Sequence, residues 1–201
     1  MSRTVDYYFA PQSPWTYLGH QRFWALAKAA GATIKVMPVD LGKVFPISGG
    51  LPLPKRAPQR QAYRLLELRR YSDHLGMPLN PQPRYFPVGG DPAAGLIIAV
   101  DLHDGAEAAM KITGAILAAV WAQERNIGDP QVLAELLAES GLDARRLAQS
   151  DTPEVRERYE AYTQQAIDAG VFGAPSYVLD GELFWGQDRL DFVARRLGVP
   201  V

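Results

Sequence analysis

The sequence predicts an α/β fold whose sheet comes from the two ends of the chain, with a long helical insertion between them. Three observations lead there. Residues 5–39 read as strand, helix and strand. A run of helix signals fills the middle. A hairpin and a closing helix follow at the end.

Val5 to Ala10 is rich in β-branched and aromatic residues and reads as a buried strand. Ser13 then has the features of a helix N-cap, with Pro14 at the first helical position. The helix runs through Trp15, Leu18, Phe23, Leu26 and Ala30, and Gly31 ends it. Thr33 to Val39 reads as a second strand. A strand–helix–strand unit this short makes its two strands parallel.

Leu41 to Pro58 reads as a loop-rich stretch, on its prolines and glycines. A helix is expected from about Gln59 to Leu75, with Tyr63, Leu66, Arg70 and Leu75 near helical spacing. Leu79 to Gly90 holds three prolines and reads as irregular. Asp91-Pro92 opens a short helix to about Leu102, and Gly105 to Arg125 reads as a mostly apolar core helix. Asp129-Pro130 and Thr152-Pro153-Glu154 each place a capping side chain before a first-turn proline. The helix from Thr152 puts Val155, Tyr159, Tyr162 and Ala166 on one face and ends at Gly170. Ser176 to Leu179 and Leu183 to Trp185 read as strands around an Asp180-Gly181 turn. Asp188 to Leu197 closes the chain as a helix with Leu190, Val193 and Leu197 inward. Together these elements give the thioredoxin order with its middle expanded. Residues 1–41 and 171–201 are expected to form a thioredoxin-like domain, and residues 42–170 a helical insertion domain.

Composition narrows the chemistry. The 201-residue chain has an ordinary globular balance, 47% hydrophobic and 21% charged. A formal net charge of -1 gives no global basic field, so neither nucleic acid nor an anionic membrane is an expected partner. The run Ile112 to Gln123 is too short to span a bilayer, and the N-terminus lacks a signal-peptide h-region. A soluble, cytoplasmic protein is expected. There is no cysteine, which excludes a disulfide framework and a catalytic thiol of the chain's own. His20, His74 and His103 have no metal-ligand spacing, so no metal is expected.

Three segments carry candidate chemistry. Ser13-Pro14-Trp15-Thr16 lies where a thioredoxin-type fold holds its reactive pair, with Ser13 and Thr16 in the two cysteine positions. A helix N-terminus there offers free N–H groups and a positive dipole end to a thiolate. Ser13 either donates to such a thiolate or is only a cap. Gly173-Ala174-Pro175-Ser176 precedes a strand facing that helix end. A cis Pro175 would turn the backbone of Ala174 toward the pocket, where an extended ligand could pair with it. The other reading is an ordinary trans proline opening an edge strand. Trp185-Gly186-Gln187-Asp188-Arg189 leads into the last helix. There Asp188 suits a ligand ammonium, or else merely caps.

These residues carry a resemblance. Val5-Asp6-Tyr7-Tyr8-Phe9 with Ser13-Pro14-Trp15 looks like the start of 2-hydroxychromene-2-carboxylate isomerases. Val171-Phe172-Gly173-Ala174-Pro175-Ser176 and Phe184-Trp185-Gly186-Gln187-Asp188-Arg189-Leu190 resemble their C-terminal signature. Pro38-Val39-Asp40-Leu41-Gly42 and the segment around Tyr63 to Pro78 extend the likeness over nearly the whole chain. The family is similar to kappa-class glutathione transferases and, more distantly, to DsbA-type oxidoreductases.

The resemblance implies a glutathione-dependent isomerase in aromatic degradation, acting on a small aromatic substrate. By position, Ser13 would contact the glutathione sulfur, Ala174 would pair with the cysteinyl backbone beside a cis Pro175, and Gln187 and Asp188 would hold the γ-glutamyl end. A kappa-like glutathione transferase, or a non-catalytic binding domain without its cysteines, stands as the alternative. One contact departs from the kappa pattern, because Gly49-Gly50-Leu51-Pro52 supplies no asparagine side chain. Lys43 is a candidate for a glycyl or substrate carboxylate, or is simply solvated. Arg84 and Tyr85 are candidates for the substrate side. A homodimer is expected.

Overall fold

The computed structural model describes residues 3–200. Strand β1 (Thr4–Phe9) pairs in parallel with β2 (Thr33–Pro38), and the helix between them is α1 (Pro14–Ala29). After the helical segment, β3 (Ser176–Leu179) returns antiparallel to β1, and β4 (Glu182–Trp185) pairs antiparallel with β3. The sheet order is β2-β1-β3-β4. Asp180 and Gly181 both have positive φ, 52° and 79°, which is the backbone a two-residue hairpin turn needs.

Alternation along β1 builds the two faces of the sheet. Val5, Tyr7 and Phe9 join Leu18, Phe23 and Ala27 of α1 in the largest buried cluster. Tyr8 points the other way, to Met37, Val39, Ala166 and Val171. Ala166 belongs to α8 (Pro153–Asp168), which covers that second face. Val155, Tyr159, Tyr162 and Ala166 do share one packed face of α8, as their spacing predicts.

Between the two halves lie α2 (Leu41–Ser48), α3 (Pro58–Leu75), α4 (Asp91–Asp104), α5 (Ala106–Trp121), α6 (Pro130–Glu139) and α7 (Arg145–Gln149). The chain closes with α9 (Leu190–Leu197), whose Leu190, Val193 and Leu197 are buried as expected. Residues 93–100 of α4 are buried all round, because the helix packs against α5, α7 and α8. Among the described residues, no helix is long and apolar enough to cross a membrane.

Several boundaries depart from the sequence reading. Leu41 to Pro58 is not all loop. Asp40 caps α2 by accepting from the Gly42 N–H at 2.7 Å, Pro46 is tolerated inside this short helix, and Gly49 ends it at φ 77°. A 3-10 turn at Leu53–Lys55 follows. The last helix begins at Leu190, because Gln187–Arg189 forms a 3-10 turn first. The α5 helix stops at Trp121, short of Arg125. Thr152 does not cap α8 with its side chain; its hydroxyl donates instead to the Gln149 carbonyl at 3.1 Å. Asp129 does cap α6, accepting from Gln131 N–H at 2.9 Å.

Candidate active site

The α1 N-terminus is built as its sequence demands. Ser13 has extended backbone angles and its Oγ accepts from the Thr16 N–H at 3.2 Å. Pro14 contributes no N–H, so the first turn leaves the Trp15 N–H without a partner among the described residues. The Ser13 hydroxyl proton is donated to no group there either. Capping and donation are therefore compatible: the oxygen accepts from the helix while the proton remains available.

Register brings Ala174 to this helix end. Tyr8 of β1 pairs with Ser176, so Ala174 lies two residues beyond that pair, at the edge where β1 leads into Ser13. The Ala174–Pro175 bond is cis. Gly186 N–H donates to the Pro175 carbonyl at 2.9 Å, and Ser176 Oγ donates to the Gly173 carbonyl at 2.8 Å. Ala174 itself makes no hydrogen bond among the described residues. Its N–H and C=O are free to pair with an extended ligand.

The third segment docks on α1. A Cβ at Gly19 would lie 2.8 Å from Gln187 Cβ, so the 3-10 turn sits directly against the helix. Gln187 is buried, and Arg22 donates to its Oε1 at 2.8 Å and to its carbonyl at 3.3 Å. The Gln187 side-chain oxygen is thus held inside the protein, where it positions the turn. Asp188 is paired with Arg189 at 2.6 Å, both partly exposed. An exposed pair of this kind is worth little and yields readily to a ligand ammonium.

Below these segments the floor is aromatic. Tyr7 stacks with Phe9 and Tyr177 at centroid distances of 4.7 and 5.5 Å, and Phe23 lies 4.6 Å from Tyr177. Burial pushes the Tyr7 and Tyr177 hydroxyls well above the usual range, so neither is a proton source near neutral pH. Gln12 Oε1 and Thr16 Oγ1, on either side of Ser13, are buried without partners.

The outer candidates are committed elsewhere. Lys43 is paired with Glu160, which raises its pKa. Arg84 lies over the Tyr85 ring at 5.3 Å, and its backbone N–H donates to Glu124 at 3.2 Å; both side chains are exposed. The structure brings Ser13, Ala174, Pro175, Gln187 and Asp188 to one end of the sheet. Arg22, which fixes Gln187, carries no local signal that sequence reasoning could use. Among the described residues, no group of histidines and acids could hold a metal ion.

Comparison with known proteins agrees with this architecture. A family model described as a DSBA-like thioredoxin domain matches residues 4–198. The 2-hydroxychromene-2-carboxylate isomerase of Pseudomonas putida is 31% identical over 202 residues, spanning 96% of this chain and 94% of that protein. The protein of the same name from Sphingobium xenophagum is 28% identical over 195 residues, spanning 96% and 97%. A solved structure of a 2-hydroxychromene-2-carboxylate isomerase superposes with a TM-score of 0.81 at 28% identity, covering 97% of this chain and 94% of its own.

Proposed function

The chain belongs to the DSBA-like thioredoxin domain family, among the 2-hydroxychromene-2-carboxylate isomerases, and on that premise we propose that it is a glutathione-dependent isomerase of 2-hydroxychromene-2-carboxylate-type substrates in aromatic degradation. The isomerase assignment follows from the kinship. Glutathione dependence is the further step, and one observation carries it: a helix N-terminus with an available serine proton faces a strand edge whose Ala174 backbone is unpaired, in a chain without cysteine.

The residues present fit a cysteinyl peptide. Ala174 would pair its N–H and C=O with the cysteinyl backbone, fixing the direction in which the ligand lies. The Ser13 hydroxyl and the unpartnered Trp15 N–H would then donate to the ligand sulfur and favour its anionic form, against a free-thiol pKa of about 8.5. Asp188 would exchange its exposed Arg189 partner for the γ-glutamyl ammonium, while Gln187, gripped by Arg22, would hold the turn in place. Bound glutathione would supply a nucleophile that adds to the ring-opened substrate and leaves again, with free rotation in between and no net redox change. Serine suits this use because it donates a hydrogen bond and, unlike cysteine, cannot form a mixed disulfide with the ligand.

The test is turnover of 2-hydroxychromene-2-carboxylate with and without glutathione, on the wild type and on Ser13→Ala. Turnover should require glutathione. Ser13→Ala should cost only about 1 kcal/mol of stability as a lost cap, yet lower glutathione-dependent turnover at least about tenfold. Turnover without glutathione, or no calorimetric glutathione binding by the folded protein, would overturn the proposal.

A further inference from the structure

A second anomaly lies under the irregular segment that leads to Ser13. Arg64 of α3 has its guanidinium carbon 5.2 Å from the Phe86 ring and 5.6 Å from the Trp121 ring. Its Nη2 is buried without a hydrogen-bond partner, and so is the Nε1 of Trp121. Among the described residues, no carboxylate forms an ion pair with Arg64. Instead Arg56 adds a second positive charge nearby, and burial with that charge lowers the Arg64 pKa to about 10. The aromatic faces offset part of the desolvation of the cation. They leave the Arg64 Nη2 and Trp121 Nε1 donors unsatisfied, and an unpaired buried donor is costly.

The location fits a ligand. Arg64 and Phe86 are half-buried, while Trp121 is sealed and forms the floor. From Phe86 the chain runs to Gly90, where a Cβ would lie 2.2 Å from Gln12 Oε1, and Gln12 precedes Ser13. The segment over Arg64 therefore continues directly to the front of α1.

We propose that Arg64, held over the Trp121 and Phe86 rings, forms a carboxylate subsite that receives the acid group of the aromatic substrate. The inference rests on the isomerase reading above and names the group that anchors its substrate. The half-buried guanidinium takes the carboxylate, the sealed Trp121 ring backs the guanidinium from beneath, and Phe86 lies against the flat ring. Arg64 is thereby a substrate-binding residue distinct from those that would hold glutathione.

The experiment is calorimetric titration, without glutathione, of two stable aromatics: chromone-2-carboxylate and chromone, which lacks the acid. The wild type should prefer the carboxylate. Arg64→Met should lose about 10- to 100-fold in affinity for it while binding chromone unchanged. Arg64→Lys, which keeps the charge but not the planar fork, should fall between. The thermal midpoint of Arg64→Met should match or exceed that of the wild type, because an uncompensated cation is removed. The subsite is overturned by a wild type with no preference for the carboxylate, or by undiminished carboxylate affinity in Arg64→Met. It is overturned equally by parallel loss of both ligands with a lowered midpoint. Carboxylate preference without any glutathione-dependent isomerisation would sink the preceding reading and leave the subsite standing.

Discussion

At the scale of single residues, burial decides what each polar group can do. Ser13 is legible in the sequence because a serine before proline at a helix start has a known job, and the structure shows that job leaves its proton unused. The contacts that organise the rest of the site are less legible. Nothing local marks Arg22 as the group that holds Gln187, since the two are joined only by folding. His20 illustrates the same point with a measurable consequence. Its Nε2 lies 2.9 Å from the Met110 carbonyl, which can only accept, so Nε2 carries the proton and Nδ1 accepts from the Tyr7 hydroxyl at 3.2 Å. Burial disfavours the charged ring and lowers its pKa to about 4, although the Met110 contact pulls the other way. The unfolded chain, with a pKa of about 6.5, therefore binds the proton first as pH falls. The stability that a neutral His20 contributes is complete above about pH 6.5 and is lost progressively down to about pH 4, on the order of 3 kcal/mol in all. Urea unfolding of the wild type and His20→Gln across that range should give a shallower acid limb for the variant. Parallel limbs would show that other groups carry the pH dependence.

At the scale of elements, those with their own punctuation are readable and those shaped by neighbours are not. The hairpin is readable because Asp180-Gly181 permits the turn, and α1 because Ser13-Pro14 starts it. The helix at Leu41–Ser48 is hidden by its prolines, although Asp40 supplies an ordinary cap. The five residues of α7 are too few to show a period, and their place depends on packing against α4 and α6. The contact between α1 and the Gln187–Arg189 turn is likewise a property of the pair. Gly19 is the residue that permits it: a Cβ there would meet Gln187 Cβ at 2.8 Å, the Tyr177 hydroxyl at 3.1 Å and Gln187 Cα at 3.3 Å. Alanine would gain about 1 kcal/mol in helix propensity, but overpacking against these buried atoms costs about 1–3 kcal/mol. We expect Gly19→Ala to be destabilised by about 1 kcal/mol net and to bind glutathione more weakly, because the turn bearing Asp188 must move away from α1. Urea midpoints and glutathione calorimetry read the two effects. A more stable variant with undiminished binding would contradict the packing argument.

At the scale of the whole molecule, the apolar pattern foretells that β1 and the α5 helix are buried, but not that they share one core. The largest buried cluster contains Val5, Tyr7 and Val36 from the sheet together with Ile97, Ile112 and Leu136 from the helical segment. No local period shows which helix will meet which strand, because the partners are distant in the chain: α4, α5 and α8 all pack against β2. A shared core has a thermodynamic consequence: loss of packing at one point is felt throughout. Ile97 lies in the middle of α4 and is fully buried, and α4 touches β2 as well as α5 and α8. Ile97→Ala should cost about 2–5 kcal/mol through lost transfer energy and the cavity left behind. That loss should move the whole molecule. Far-UV circular dichroism follows the helices, and tryptophan fluorescence reports from Trp15 and Trp24 in α1, Trp121 in α5 and Trp185 in β4. Both signals should shift to lower urea together and retain coincident midpoints. An early helical transition, with Trp185 still in its native environment, would mean that the insertion unfolds on its own and that the continuous core does not couple it to the sheet.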